Sequence, residues 1–280
     1  MKSPTRAWIY LITLALVLIV LGHWLGGRDG VLWGVAMALS INSVMYFFGD
    51  ARILQSVQGH HLEGQDPWRA LEILSTLSRK ARIPEPKLLV MDQSSPQAFA
   101  VGRSWKEATV VVTQGLLDSF DRGELEAILA YQVACIKRLD TLSFGISSLF
   151  ATLFLWVTRG LDAFLRLITG AKKDPYAPQS HIVTYITAPV VALLLRSSVG
   201  SSSYYHIDQL AAELTGQPKT LAQALWKLDS LRATQPFSVS PAAAHMFIVN
   251  PLTGKGWSRY FQAQPPVKKR IQNLLGYYPI

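Results

Sequence analysis

Cysteine, charge and acid are all scarce in this chain. Its 280 residues hold one cysteine, Cys135, so no disulfide within the chain holds the fold together. Only 16% of the residues are charged, 50% are hydrophobic, and the mean hydropathy is +0.22. That balance excludes a disordered tail protein and a disulfide-stapled secreted domain, and it is too apolar for an ordinary cytosolic enzyme. Charge is missing in blocks. Residues 7–27 carry no Asp, Glu, Lys or Arg for 21 residues, 30–49 for 20, 141–158 for 18 and 175–195 for 21. Acid is outnumbered, 18 Asp and Glu against 27 Lys and Arg, for a net +9. The basic excess forms no stripe with interleaved aromatics: residues 49–140 carry 11 basic and 12 acidic side chains. Residues 197–280 carry 8 and 3, scattered apart from Lys268-Lys269-Arg270. Nucleic acid is therefore not expected as a partner. The excess reads as attraction to anionic lipid or as an orientation signal.

The bilayer is the expected partner. A spanning helix needs about 20 apolar residues. The run from Trp8 to Leu25, preceded by Lys2 and Arg6, comes close to that length. No A-x-A cleavage site follows and a second apolar run starts almost at once, which argues for an anchor over a cleaved signal. The second run, 31–48, follows a Gly-Gly-Arg-Asp-Gly turn, so the two are expected to form a hairpin. A third run covers 142–157, an amphipathic piece 161–168, and a fourth run 182–195 contains Pro189. The last two apolar runs fit re-entrant or buried helices nearly as well as spans. The organisation expected is a transmembrane hairpin at 1–49, a soluble part at 50–140, a second membrane or re-entrant pair at 141–196, and a soluble part at 197–280. Lys2 and Arg6 place the N-terminus inside, and an even number of spans returns both soluble parts and the C-terminus to the cytoplasm.

Between the membrane runs the pattern is globular. Trp68, Leu71, Leu74, Leu77 and Ala81 recur at helical spacing over 65–82. Three short strands follow, over 87–91, 98–102 and 108–113, the last rich in β-branched residues. A short helix is expected at 115–119, a long one at 124–140, and two more at 203–215 and 220–231, split by Gly216-Gln217-Pro218. The class is α+β, a small sheet edge with helices, carried on about four membrane helices and mainly helical. Glu124 is expected to cap the long helix, His60-His61 to form a solvated helix end, and Lys268-Lys269-Arg270 a solvated helix start.

The order of apolar hairpin, IPEPKLLVMDQSSPQAFAVGRSWKEATVVVTQGLLDSFDRGELEAILAYQVACIKRLD, two further apolar runs, YYHIDQLAAELTG and HMFIVNPLTGKG…QPPVKKRI resembles the HtpX-type membrane zinc metalloproteases, relatives of the CAAX prenyl proteases. The likeness runs over nearly the whole chain and implies a zincin-like domain at the bacterial inner membrane. In that family an H-E-x-x-H helix holds zinc between two His on one face, and the Glu takes a proton from the metal-bound water. A later E-x-x-x-D helix gives the third ligand.

Here the aligned positions read differently. Tyr131 stands for the first His, Gln132 for the catalytic Glu, Cys135 for the second His and Tyr204 for the third-ligand Glu, while Asp208 is retained. The family's substrate-strand N-A-F-A reads Gln97-Ala98-Phe99-Ala100, and its late His is Gln264. An amide cannot serve as a base, and a phenol has a pKa near 10. The resemblance thus implies the fold and a non-catalytic relative with no metal site and no cofactor, although the family binds zinc. Such a relative would bind peptide along Gln97–Ala100 by strand addition, with membrane proteins under quality control or an active protease as partners. Two alternatives stand beside it. One is a working metalloendopeptidase with an unorthodox site drawing on Cys135, His206, Asp208 or His245. The other is a purely structural membrane subunit. Tyr131 and Tyr204 are expected to fill the metal's space, each hydroxyl bonded to a partner such as Gln132 or Asp208.

Overall fold

The computed structural model describes residues 3–57, 59–62, 66–169, 200–237, 239–240, 242–252 and 264–278. The fourth apolar run, 182–195, lies outside them. The first two runs form the expected hairpin, α1 (Ser3–Val57), whose two arms are separated by non-helical backbone at Gly26 and Gly27, the latter at φ 57. The arms touch through glycine. A Cβ on Gly30 would lie 1.9 Å from the Gly22 carbonyl oxygen, and one on Gly34 would lie 2.7 Å from that of Leu18. Farther along, Asn42 donates to the Leu11 carbonyl at 3.3 Å and Trp8 stacks on Tyr46. Among the described side chains of α1, large apolar ones such as Ile12, Val20, Leu32 and Leu39 are exposed, as suits a surface facing lipid.

The soluble part is built around one helix. Strands β1 (His60–His61), β2 (Lys87–Met91), β3 (Ala98–Val101) and β4 (Thr109–Thr113) form a sheet of order β1-β2-β4-β3. β2 and β4 run parallel, and both outer pairs are antiparallel. His60-His61, expected at a helix end, is this short edge strand instead; its backbone pairs with Leu89 and Val90 while its side chains stay exposed. α2 (Ala70–Ala81) buries its apolar stripe of Ile73, Leu74, Leu77 and Ala81. Short α3 (Gln114–Ser119) is capped by the Thr113 hydroxyl and leads into α4 (Arg122–Lys137).

α4 starts at a capping box: Asp121 accepts from the Glu124 N–H and Glu124 from the Asp121 N–H. Lys227 also reaches Glu124, at 2.6 Å. Leu125 and every residue from Ala127 to Ile136 are buried, so this is a helix enclosed on all sides. α6 (Ser201–Thr215) and α7 (Pro218–Thr234) pack against it, and α8 (Val267–Leu275) packs on those two. One core joins Leu74, Val111, Ile128, Tyr204, Leu225 and Ile248, so residues before and after the second apolar region share it.

α5 (Asp140–Thr169) follows α4 after a two-residue joint in which Leu139 takes φ 56. The sequence suggests a third apolar run and a separate amphipathic piece; they form a single helix of 30 residues. The joint is fastened on three sides. Arg138 pairs with Asp140, Thr141 donates to the Gly102 carbonyl, and the Trp105 indole donates to the Lys137 carbonyl. Two stretches are long and apolar enough to cross a membrane, Leu11–Val44 and Asp140–Phe164. The molecule is thus mostly helical, with a small mixed sheet and two candidate membrane stretches among the described residues.

Candidate functional site

Tyr131, Gln132 and Cys135 lie on α4, all buried. Tyr204 and Asp208 lie one turn apart on α6, also buried. Helical spacing thus brings five of the singled-out residues to one centre, and a sixth arrives unannounced. Arg270, expected on a solvated helix start, is fully buried. Its guanidinium grips Asp208 in a bidentate pair, Nε to Oδ2 at 2.9 Å and Nη2 to Oδ1 at 2.6 Å. Its third contact, Nη1, donates to the Ile248 carbonyl at 2.5 Å. The same cation lies 5.1 Å from the Tyr131 ring centroid and 5.8 Å from that of Tyr204.

This arrangement reverses one expectation about the tyrosines. The Asp208 carboxylate is taken by Arg270, so neither phenol bonds to it. The Tyr204 hydroxyl donates instead to the His245 carbonyl at 2.9 Å, and its ring stacks on Phe144. The Tyr131 hydroxyl and both amide atoms of Gln132 are buried without a protein partner among the described residues. His245 bonds through Nε2 to the Phe144 carbonyl at 3.0 Å. His206 points the other way on α6, exposed, with Nδ1 on the Ser202 carbonyl at 2.6 Å. Gln264 reaches the carbonyls of His245 and Phe247.

Burial dominates the electrostatics. It pushes the Tyr131 and Tyr204 phenols and the Cys135 thiol above their ordinary values, so all three stay protonated at neutral pH. It lowers the His245 imidazole to about 4, against the pull of the Phe144 and Ala242 carbonyls. Burial also works against the Arg270 charge, but the Asp208 carboxylate beside it keeps the guanidinium fully protonated.

Gln97, Ala98, Phe99 and Ala100 are all buried. The Gln97 backbone bonds to Thr113, and β3 pairs with β4 on one side. On the other side it meets residues 247 and 248, through an antiparallel bridge from Phe99 to Phe247 and a bond from the Ile248 N–H to the Ala98 carbonyl.

Known proteins match this chain throughout. A family model described as Peptidase family M48 matches residues 65–277. A Protease HtpX homolog of Desulfatibacillum aliphaticivorans is 33% identical over 285 residues, covering 100% of this chain and 91% of that protein. One of Thermococcus sibiricus is 32% identical, covering 96% and 94%, and one of Pyrococcus furiosus is 32% identical, covering 92% and 90%. Among solved structures, Ste24p of S. mikatae aligns with TM-score 0.53 at 16% identity, covering 98% of this chain and 65% of that longer one.

These relatives correct the expectation that no cofactor belongs here, because an HtpX-like member of family M48 points to zinc. The residues at the centre do not fit that ion. Zinc takes thiolate, neutral imidazole or carboxylate. The centre offers two phenols and an amide, which are poor zinc donors, beside the single thiol of Cys135 and a carboxylate already held by Arg270, while the neighbouring His245 imidazole has its Nε2 on the Phe144 carbonyl. Among the described residues no three His, Cys, Asp or Glu stand together as a metal site would require. Arg270 is the residue that sequence reasoning missed. Its signal was present: Val267, Arg270, Ile271 and Leu274 follow helical spacing, which puts the arginine in the apolar stripe of α8. On the match over residues 65–277 and the full-length likeness to the HtpX homologues, the chain belongs to peptidase family M48.

Proposed function

We propose that the chain is an integral-membrane, HtpX-like M48 peptidase homologue that does not cut peptide bonds. It binds peptide segments or partner proteins, membrane proteins or an active protease among them, in membrane protein quality control. Gln132 carries this reading. The resemblance puts the family's proton-accepting Glu at this position, and an amide neither holds nor releases a proton as a carboxylate does. Its buried donor and acceptor suit binding a neutral group. Tyr131, Cys135 and Tyr204, in the resemblance's ligand positions, are packed and protonated, which supports the same reading. Peptide takes the strand Gln97–Ala100. The basic flank Lys2 and Arg6 supports a cytoplasmic N-terminus at a bacterial inner membrane, with the protease-like domain and both termini on that side.

Family membership favours a second reading, a working metalloendopeptidase whose zinc is held by an unorthodox set including Cys135 or His245. Metal analysis and a peptidase assay on detergent-purified full chain, with zinc supplied, separate the two. The non-catalytic reading expects no cleavage above the level of Gln132→Ala. Cleavage lost together with stoichiometric zinc in Cys135→Ser would establish the second. Joint replacement Tyr131→His, Gln132→Glu, Cys135→His and Tyr204→Glu is expected to restore cleavage if the peptide groove is intact.

A further inference from the structure

The outer edge of β3 is occupied by the protein's own chain. Phe247 bridges Phe99 in antiparallel register, and the Ile248 N–H donates to the Ala98 carbonyl at 3.1 Å. The Phe247 ring packs on Phe99 at 4.8 Å between centroids and on Phe237 at 5.3 Å. No regular strand lies beyond this segment among the described residues. Side chains take its carbonyls instead: Tyr204 and Gln264 bond to that of His245, Gln264 to that of Phe247, Arg270 to that of Ile248 and Arg232 to that of Asn250. The 3-10 turn Ala244–Met246 delivers extended backbone at Phe247, which is bonded to a sheet edge on one side and flanked by side-chain bonds on the other, where strand addition would seat a separate chain.

Resting on the peptide-binding reading above, we propose that Phe247 and Ile248 are an internal stand-in for the ligand. The edge of β3 accepts an extended, apolar peptide antiparallel to it, with an aromatic side chain opposite Phe99, and accepts it only when Phe247 and Ile248 leave. The segment shows the chemistry selected. Met246, Phe247 and Ile248 are apolar and buried, and the aromatic contact falls on the bridge itself. Side-chain hydrogen bonds hold the outer side of the segment, so removing them one at a time loosens it.

The probe is a fluorescent peptide with the sequence of residues 244–251, titrated into the detergent-purified full chain. Ile248→Pro removes the N–H that bonds to Ala98; Gln264→Ala removes two bonds to the segment and keeps the proposal testable if the proline variant does not fold. Hydrogen exchange at residues 98–101 reports whether the edge has opened. The expected result is faster exchange in the variants and binding about tenfold tighter than to the unsubstituted chain, since more molecules offer the edge. Replacing the peptide's phenylalanine by alanine should weaken binding about tenfold. Faster exchange without peptide capture would overturn the proposal, as would exchange at β3 unchanged in both variants. Cleavage in the peptidase assay would sink the non-catalytic reading and leave this inference standing; failed capture with no cleavage would sink this inference and its peptide strand and leave the non-catalytic reading standing.

Discussion

Arg270 and Asp208 lie 62 residues apart in sequence and meet with almost no solvent contact. A buried pair is not a net source of stability, but removing one partner strands a charge in a low dielectric. Arg270→Met should therefore destabilise the protein by about 3–5 kcal/mol, and Arg270→Met with Asp208→Leu should recover most of that loss. Thermal unfolding of the two single variants and the double variant in detergent measures the coupling; additive losses would show that the pair does not act as a unit. His245 gives a second prediction. Its folded pKa of about 4 lies below the ordinary 6.5, so the unfolded chain takes up its proton first as pH falls. Stability is full above about 6.5 and declines through the window down to about 4, a loss of roughly 3 kcal/mol from this group. His245→Gln should remove that part of the acid sensitivity in unfolding curves from pH 7 to 4. The sequence marked Tyr131, Gln132, Cys135, Tyr204 and Asp208 because family order aligned them. Helical spacing could place Arg270 in the buried stripe of α8, but it could not name Asp208 as its partner, because that residue lies on another helix 62 positions away.

The α1 hairpin depends on backbone contact. Gly22 and Gly30 approach so closely that a side chain on either meets the other's carbonyl. Gly30→Val should force the arms apart, whereas Gly26→Ala, with open space around it, should be tolerated. A cysteine pair at positions 11 and 42 reads this out: crosslinking should fall with Gly30→Val and persist with Gly26→Ala. Equal crosslinking in both would mean that the arms are held by other contacts. Elements with strong local signals were legible. β2 falls on the expected residues, and α2, α4, α6 and α7 fall within a few. The misreadings share a cause, the lack of local pattern. Two histidines became an edge strand because β2 offered an open backbone, and α5 ran through Arg159 and Gly160 because neither stops a long helix.

At the scale of the molecule, one globular core is assembled from two stretches of sequence that come before and after the apolar helix α5. The cytoplasmic orientation proposed from Lys2 and Arg6 predicts that a cysteine introduced at exposed Trp226 reacts with impermeant maleimide only after cells are opened. Labelling in intact cells would reverse the topology. The joint at Leu139 has a mechanical meaning. α4, with Gln132 and Cys135 on it, is separated from the apolar helix α5 by only Arg138 and Leu139, and both sides of the joint are tied to the β3–β4 connection, α4 through Lys137 to Trp105 and α5 through Thr141 to Gly102. A thicker or thinner bilayer changes the tilt of such a helix. With so short a link there is little slack to absorb that rotation, so a bilayer that held α5 as a span would act as a lever on the buried centre.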